Sequence, residues 1–263
     1  MAKQLGYLLS FVLVFANGMA RANWNGDLRS ESKYNFIFKI QAGISCSAFA
    51  LTDRFVATAA HCFTGFDTSE KKLTSWNGSN GAKASLRFRK LHFHPGFDLK
   101  TVEDGGMPFA MAQFDVVLIE LAEGALEKIQ GLQSYQNLQG ITQSQDFFIA
   151  SLPSEGTLLS LGLGATNDDG DESDFRRSVP LKVASFTDSP LRATSANPNQ
   201  ALCLGDSGGP LLLESTEGTR IVGLLSSRHA LAKKVAPCED SRYEYFEVNL
   251  AQHHKWLESV LGF

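Results

Sequence analysis

The sequence predicts an all-β protein rich in turns, and three observations carry that expectation. Glycine is plentiful, with 23 among 263 residues. Long helical periodicities are scarce. Short apolar stretches bounded by turn residues follow one another along most of the chain. With 43% hydrophobic residues, the chain can bury one large core or two smaller ones.

The first strands are read at 35–40, 48–51 and 54–58, each a brief apolar run closed by a turn signal. Residues 86–93 largely alternate apolar and polar side chains, as a strand with one wet face should. Residues 116–119 are uniformly apolar and read as a more fully buried strand. A polar, strand-poor stretch at 122–146 then separates two halves. The second series falls at 147–152, 158–163, 179–186, 210–213, 221–225 and 243–248. Two similar strand sets suit two similar barrels. Between two strands of the second series, 167–174 is acidic but lacks the glutamate that closes a calcium loop, so it reads as a solvated surface loop. Helical periodicity at 251–261 through Trp256, Leu257, Val260 and Leu261 predicts a C-terminal helix.

The N-terminus carries Lys3, an apolar run over 5–16, then Gly18, Ala20 and Ala22. A positive start, a short apolar stretch and an Ala-x-Ala pattern make a secretory signal peptide over 1–22, cut after Ala20 or Ala22. The run is too short for a comfortable membrane span, and no later segment qualifies. A secreted or periplasmic protein with no membrane attachment after signal removal is expected. A net charge of −4 with no basic stripe argues against nucleic acid as a partner.

The chemistry sits in three segments. Cys203-Leu204-Gly205-Asp206-Ser207-Gly208-Gly209-Pro210 sets a serine in a glycine-rich bend. A serine hydroxyl is a weak nucleophile until a base takes its proton. Thr58-Ala59-Ala60-His61-Cys62 supplies that base after a buried-looking strand. The base needs an orienting carboxylate, and Asp115 heads the apolar strand 116–119. A charge buried there is costly unless paired, and an imidazole N–H is a suitable partner. Glu120, late in the strand, is expected to face solvent. His92, His94, His229, His253 and His254 read as surface or satisfied core residues, with His92 and His94 facing solvent rather than a metal. Gly205 to Gly209 also fits the nucleophile elbow of α/β-hydrolases. That elbow feeds a helix, which Pro210 and two glycines suit poorly, and too little chain follows for an acid and a histidine.

The four cysteines, Cys46, Cys62, Cys203 and Cys238, are even in number in an exported chain, which implies disulfides. Counting alone allows three pairings. Local order favours Cys46–Cys62 and Cys203–Cys238, each stapling one catalytic segment. No Cys-x-x-Cys spacing supports zinc.

Taken in order, Thr-Ala-Ala-His-Cys, Asp-Val-Val-Leu-Ile and Gly-Asp-Ser-Gly-Gly-Pro resemble the trypsin/chymotrypsin family of serine proteases. His94-Pro95-Gly96-Phe97 and Leu161-Gly162-Leu163-Gly164 resemble two further family segments. The resemblance implies two antiparallel six-stranded β-barrels packed face to face, with a C-terminal helix. The barrels would take 23–130 and 131–263, and together form one peptidase domain. His61 and Asp115 would come from the first and Ser207 from the second. The backbone N–H groups of Gly205 and Ser207 would form the oxyanion hole. No metal and no cofactor would be needed. Protein or peptide substrates, protein protease inhibitors and a monomeric state are implied. The alternative is a catalytically silent relative acting as a binding module.

Three departures from the family pattern bear on function. The usual Ile-Val-Gly-Gly start, whose freed ammonium pairs with the acid beside the serine (here Asp206), is missing. Asn23-Trp24-Asn25-Gly26 is the nearest match, and signal removal after Ala22 would free Asn23 there. Ala201 stands where trypsin-type enzymes carry an aspartate, which argues against cleavage after Lys or Arg. The pocket wall reads Ser226-Ser227-Arg228, with Arg242 and Tyr243 near the opposite wall. Arg228 either narrows the pocket or attracts an acidic side chain, leaving small apolar, aromatic and acidic preferences open. Only two disulfides are available, which suits a compact bacterial-type secreted protease.

Overall fold

Short, largely buried strands close into two barrels. A computed structural model describes residues 24–30, 32–76, 83–105, 109–126, 157–169, 175–183, 190–215, 218–232 and 235–262. In the first barrel the strands are β2 (Ile37–Gln41), β3 (Ser45–Ala50), β4 (Phe55–Thr58), β5 (Lys72–Trp76), β6 (Lys83–Phe93) and β7 (Val117–Leu121). All pairings are antiparallel, and the order β2-β3-β4-β7-β6-β5 closes on itself. Closure leaves no edge for another chain to pair with.

The second barrel is built from β8 (Thr157–Gly162), β9 (Arg177–Val183), β10 (Leu191–Ser195), β11 (Pro210–Ser215), β12 (Gly218–Ala230) and β13 (Tyr243–Asn249). Its order is β9-β10-β13-β12-β11-β8, and pairing of β8 with β9 closes it. The expected all-β fold of two antiparallel six-stranded barrels is therefore present. Its core gathers Val179, Leu191, Leu211, Leu225 and Tyr245, all nearly or fully buried. Burying such side chains contributes roughly 1.5–3 kcal/mol each.

Several elements were not foreseen. Strands β5 and β10 alternate too weakly to stand out. In β6 the alternation breaks at a bulge between Phe88 and Lys90. Two short helices, α1 (Leu99–Gly105) and α2 (Phe109–Ala112), fill the connection to β7. The expected strand at 147–152, the boundary at 130, the signal segment and most of the polar stretch 122–146 lie outside the described residues.

Each end of the chain lies on the other half. β1 (Asp27–Leu28) pairs with Ser178 and Arg177 of β9, so this N-terminal segment joins the second barrel. The C-terminal helix α3 (His254–Leu261) buries Leu257 completely; Trp256, Val260 and Leu261 pack on the apolar cluster that runs through both barrels, and Trp256 meets His94 of the first half. Among the described residues, no helix is long and apolar enough to cross a membrane.

The expectation that His94 faces solvent is corrected. Its ring is buried, 5.0 Å from Phe114, 4.5 Å from His253 and 4.9 Å from Trp256, where the C-terminal helix covers the loop. Burial, and to a lesser degree the neighbouring His253, lower its pKa to about 4. Glu120 likewise does not simply face solvent. It accepts from Arg54 at 2.5 Å and pairs with His92 at 3.0 Å.

Candidate active site

Strand register brings the base and the acid together. Thr58, the last residue of β4, lies opposite Val117, the first of β7. The chain leaving β4 therefore runs beside the chain entering β7, and His61 and Asp115 emerge at the same end of the sheet. A single helical turn over Ala60–Phe63 then aims His61, and the Cys46–Cys62 disulfide ties that turn to β3. The other disulfide joins Cys203 to Cys238, so both bonds follow the pairing that local order favours.

Asp115 has no exposed surface, and its carboxylate is held by hydrogen bonds. Oδ1 accepts from the His61 backbone N–H at 2.8 Å. Oδ2 meets His61 Nδ1 at 2.6 Å and accepts from Ser226 Oγ at 2.7 Å. A carboxylate only accepts, so Nδ1 carries the proton and Nε2 is left as the basic nitrogen. Burial alone would depress the His61 pKa. The adjoining Asp115 charge and its hydrogen bond more than offset that, and the net shift is upward.

The loop bearing Ser207 is docked against the first barrel. Ser47 N–H donates to the Ser207 carbonyl at 2.9 Å, and Ser47 Oγ donates to the Gly205 carbonyl at 2.9 Å. From the second barrel, Gly208 N–H donates to Leu225 at 2.7 Å. Gly205 has φ +85°, a left-handed conformation that costs glycine little. Asp206 is almost fully buried. Its Oδ1 accepts from Gly164 N–H at 2.8 Å and its Oδ2 from Cys203 N–H at 2.7 Å. A Cβ on Gly162 or Gly164 would run into this carboxylate, which explains the two glycines in that segment.

The arrangement has counterparts among known proteins. A family model described as Trypsin matches residues 23–256. This chain belongs to the trypsin family. It is 24% identical to trypsin epsilon of Drosophila erecta over 81% of this chain and 76% of that protein. It is 24% identical to trypsin 5G1 of Aedes aegypti over 82% of this chain and 75% of that protein. Complement factor B of Bos taurus is 25% identical over 82% of this chain, which spans 32% of that longer protein.

Within this trypsin-family chain the expected pocket residues separate. Ala201 is fully buried and bridges to Trp24, its N–H donating to the Trp24 carbonyl at 3.1 Å. Ser226, expected on the pocket wall, turns its hydroxyl to Asp115 instead. The Arg228 guanidinium lies 4.5 Å from the ring centre of buried Tyr243. It also donates to the carbonyls of Leu202, at 3.1 Å, and Pro237. Arg242 is exposed and pairs with Asp240. Sequence reading missed Ser47, which braces the serine loop. Its position after Cys46, in the strand stapled to the histidine turn, is the one signal that pointed to it.

Proposed function

We propose that this chain is an exported serine endopeptidase that cleaves protein or peptide substrates through Ser207, His61 and Asp115. The observation that carries the reading is the buried Asp115 carboxylate held 2.6 Å from His61 Nδ1, which leaves Nε2 basic. His61 Nε2 takes the Ser207 proton as Oγ bonds to the scissile carbonyl carbon. The oxyanion accepts from the N–H groups of Gly205 and Ser207. His61 then gives the proton to the leaving amine as the C–N bond breaks, leaving an acyl-enzyme. Water attacks the acyl carbon, His61 takes its proton, and that proton returns to Ser207 Oγ as the acid leaves. Asp115 stays ionised throughout. No cofactor enters these steps. The enzyme acts as a monomer, and protein protease inhibitors would bind the same cleft.

A fluorophosphonate probe tests this reading. The mature protein is expected to be labelled on one serine, with labelling lost in Ser207→Ala. Absence of labelling in the folded wild type would favour a catalytically silent binding module.

Of the small apolar, aromatic and acidic preferences left open at the cut site, we favour small, uncharged side chains. The Arg228 charge is engaged by two carbonyls and the Tyr243 ring, which leaves it poorly placed to draw in an acid. Ala201 offers no charge for lysine or arginine. In a peptide-library profile, Arg228→Gly is expected to raise cleavage after large apolar residues by about tenfold or more. An unchanged profile would remove Arg228 from the pocket.

A further inference from the structure

Asp206 is a carboxylate with almost no exposed surface, and an ionised carboxylate in such a place needs a cation. One such group is itself buried on a strand of the first barrel. Lys39, in the middle of β2, has no exposed surface. It lies directly opposite Ser47 on β3 and opposite Trp76 on β5, and residues directly opposite in antiparallel pairs share a face. That face is the one turned to the second barrel, because Ser47 Oγ reaches the Gly205 carbonyl and accepts from Leu163 N–H at 3.0 Å. The Lys39 ammonium lies 5.5 Å from the Trp76 ring centre, which steadies a cation there.

We propose that Lys39 is the internal counter-ion of Asp206, a positioning residue that orders the Ser207 loop without a freed N-terminal ammonium. The inference rests on the reading of Ser207 as the nucleophile. The ionised carboxylate accepts more strongly than the neutral acid from the Gly164 and Cys203 N–H groups, and those two bonds shape the turn that carries Ser207. Four side chains act electrostatically with Asp206: Lys39, Arg228, Glu247 and Tyr245, whose buried phenol is held well above its ordinary pKa and stays neutral. Lys39 acts more strongly on it than Arg228, which is already engaged by two carbonyls. Glu247 of β13 is fully buried, and burial pushes its carboxyl up to about 8, so it is neutral near pH 7. For Asp206 itself burial raises the pKa to about 7, against the two N–H groups and the Lys39 and Arg228 charges. Removing Lys39 raises it further, so the ionised form is reached only at higher pH.

The test compares wild type, Lys39→Met, Asp206→Asn and the double variant, each bearing an N-terminal extension that blocks a free terminus near Trp24. Fluorophosphonate labelling is followed against pH, and thermal melting is recorded for all four. Wild type is expected to label despite the extension. Lys39→Met is expected to label about tenfold more slowly near neutral pH, with its acidic limb moved to higher pH. It should also melt lower, and adding Asp206→Asn should recover the melting loss by removing the uncompensated charge. Labelling of Lys39→Met at the wild-type rate would overturn the proposal, as would effects of the two substitutions that simply add. If the extended wild type stays unlabelled while the protein with a free terminus near Trp24 is labelled, the proposal is overturned and the enzyme reading stands. If neither is labelled, the enzyme reading fails, and coupling between the two substitutions in melting alone decides whether the pair exists. Should Lys39→Met not fold, folding of the double variant supports the pair, and failure of both overturns it.

Discussion

Asp115→Asn is expected to leave both barrels folded while reducing turnover by about four orders of magnitude, the size of loss general to triads of this kind. The carboxylate accepts from His61 N–H, His61 Nδ1 and Ser226 Oγ. An asparagine keeps the volume but offers one oxygen and one amide. With the amide facing Nδ1, the imidazole proton moves to Nε2, which can then no longer take the proton of Ser207. The pH dependence should change as well. His61 acts as a base only when neutral, so activity is lost as pH falls through its pKa. Burial depresses that pKa and Asp115 raises it above the ordinary value. Without the charge, burial wins, and the acidic limb of residual kcat/KM moves to lower pH. Near wild-type turnover, or an acidic limb that stays in place, would exclude Asp115 from this role.

The second large effect is expected at the joint between the barrels. Gly208 has φ +79°, and a Cβ there would collide with Thr58 Oγ1, the Ser47 carbonyl oxygen at 2.5 Å and the Ala59 nitrogen at 2.7 Å. Two of these atoms are backbone of the first barrel and cannot swing away. Gly208→Ala is therefore expected to destabilise the fold by about 3 kcal/mol, combining backbone strain with overpacking. If Ser207 is the nucleophile as proposed, the substitution is also expected to shift it relative to His61. A displacement of that kind costs about a hundredfold in rate. Denaturant titration and fluorophosphonate labelling measure the two effects separately. Wild-type values for both would mean that the loop does not rest on Thr58 and Ser47.

The parts of this protein that were legible in its sequence are those fixed by local chemistry. The brief apolar runs at 35–40 and 54–58 became β2 and β4, because a short apolar stretch and its turn signal are properties of a few adjacent residues. The pairing of His61 with Asp115 followed from a costly charge at the head of an apolar strand. What escaped depended on partners distant in the chain. Ser226 sits 111 residues from the Asp115 it bonds to, and nothing in Ser226-Ser227-Arg228 marks its hydroxyl as turned away from the pocket. Lys39 interrupts an apolar run and reads as the wet position of a strand. Its burial becomes visible only when the second barrel covers it. His94 escaped in the same way, since the α3 helix that buries it arrives at the far end of the chain.

The crossed ends of the chain set how the cleft can behave. β1 is stitched to the second barrel before the chain enters the first, and α3 returns from the second barrel to lie on the first. The halves are thus clasped at two points, so separating them like a hinge would tear a strand pairing and strip an apolar helix face together. On the proposed reading, a polypeptide substrate would reach Ser207 by fitting between surface loops, with the barrels staying shut. The same clasps couple the loss of one half to the loss of the other, so heating should melt the protein as one cooperative unit.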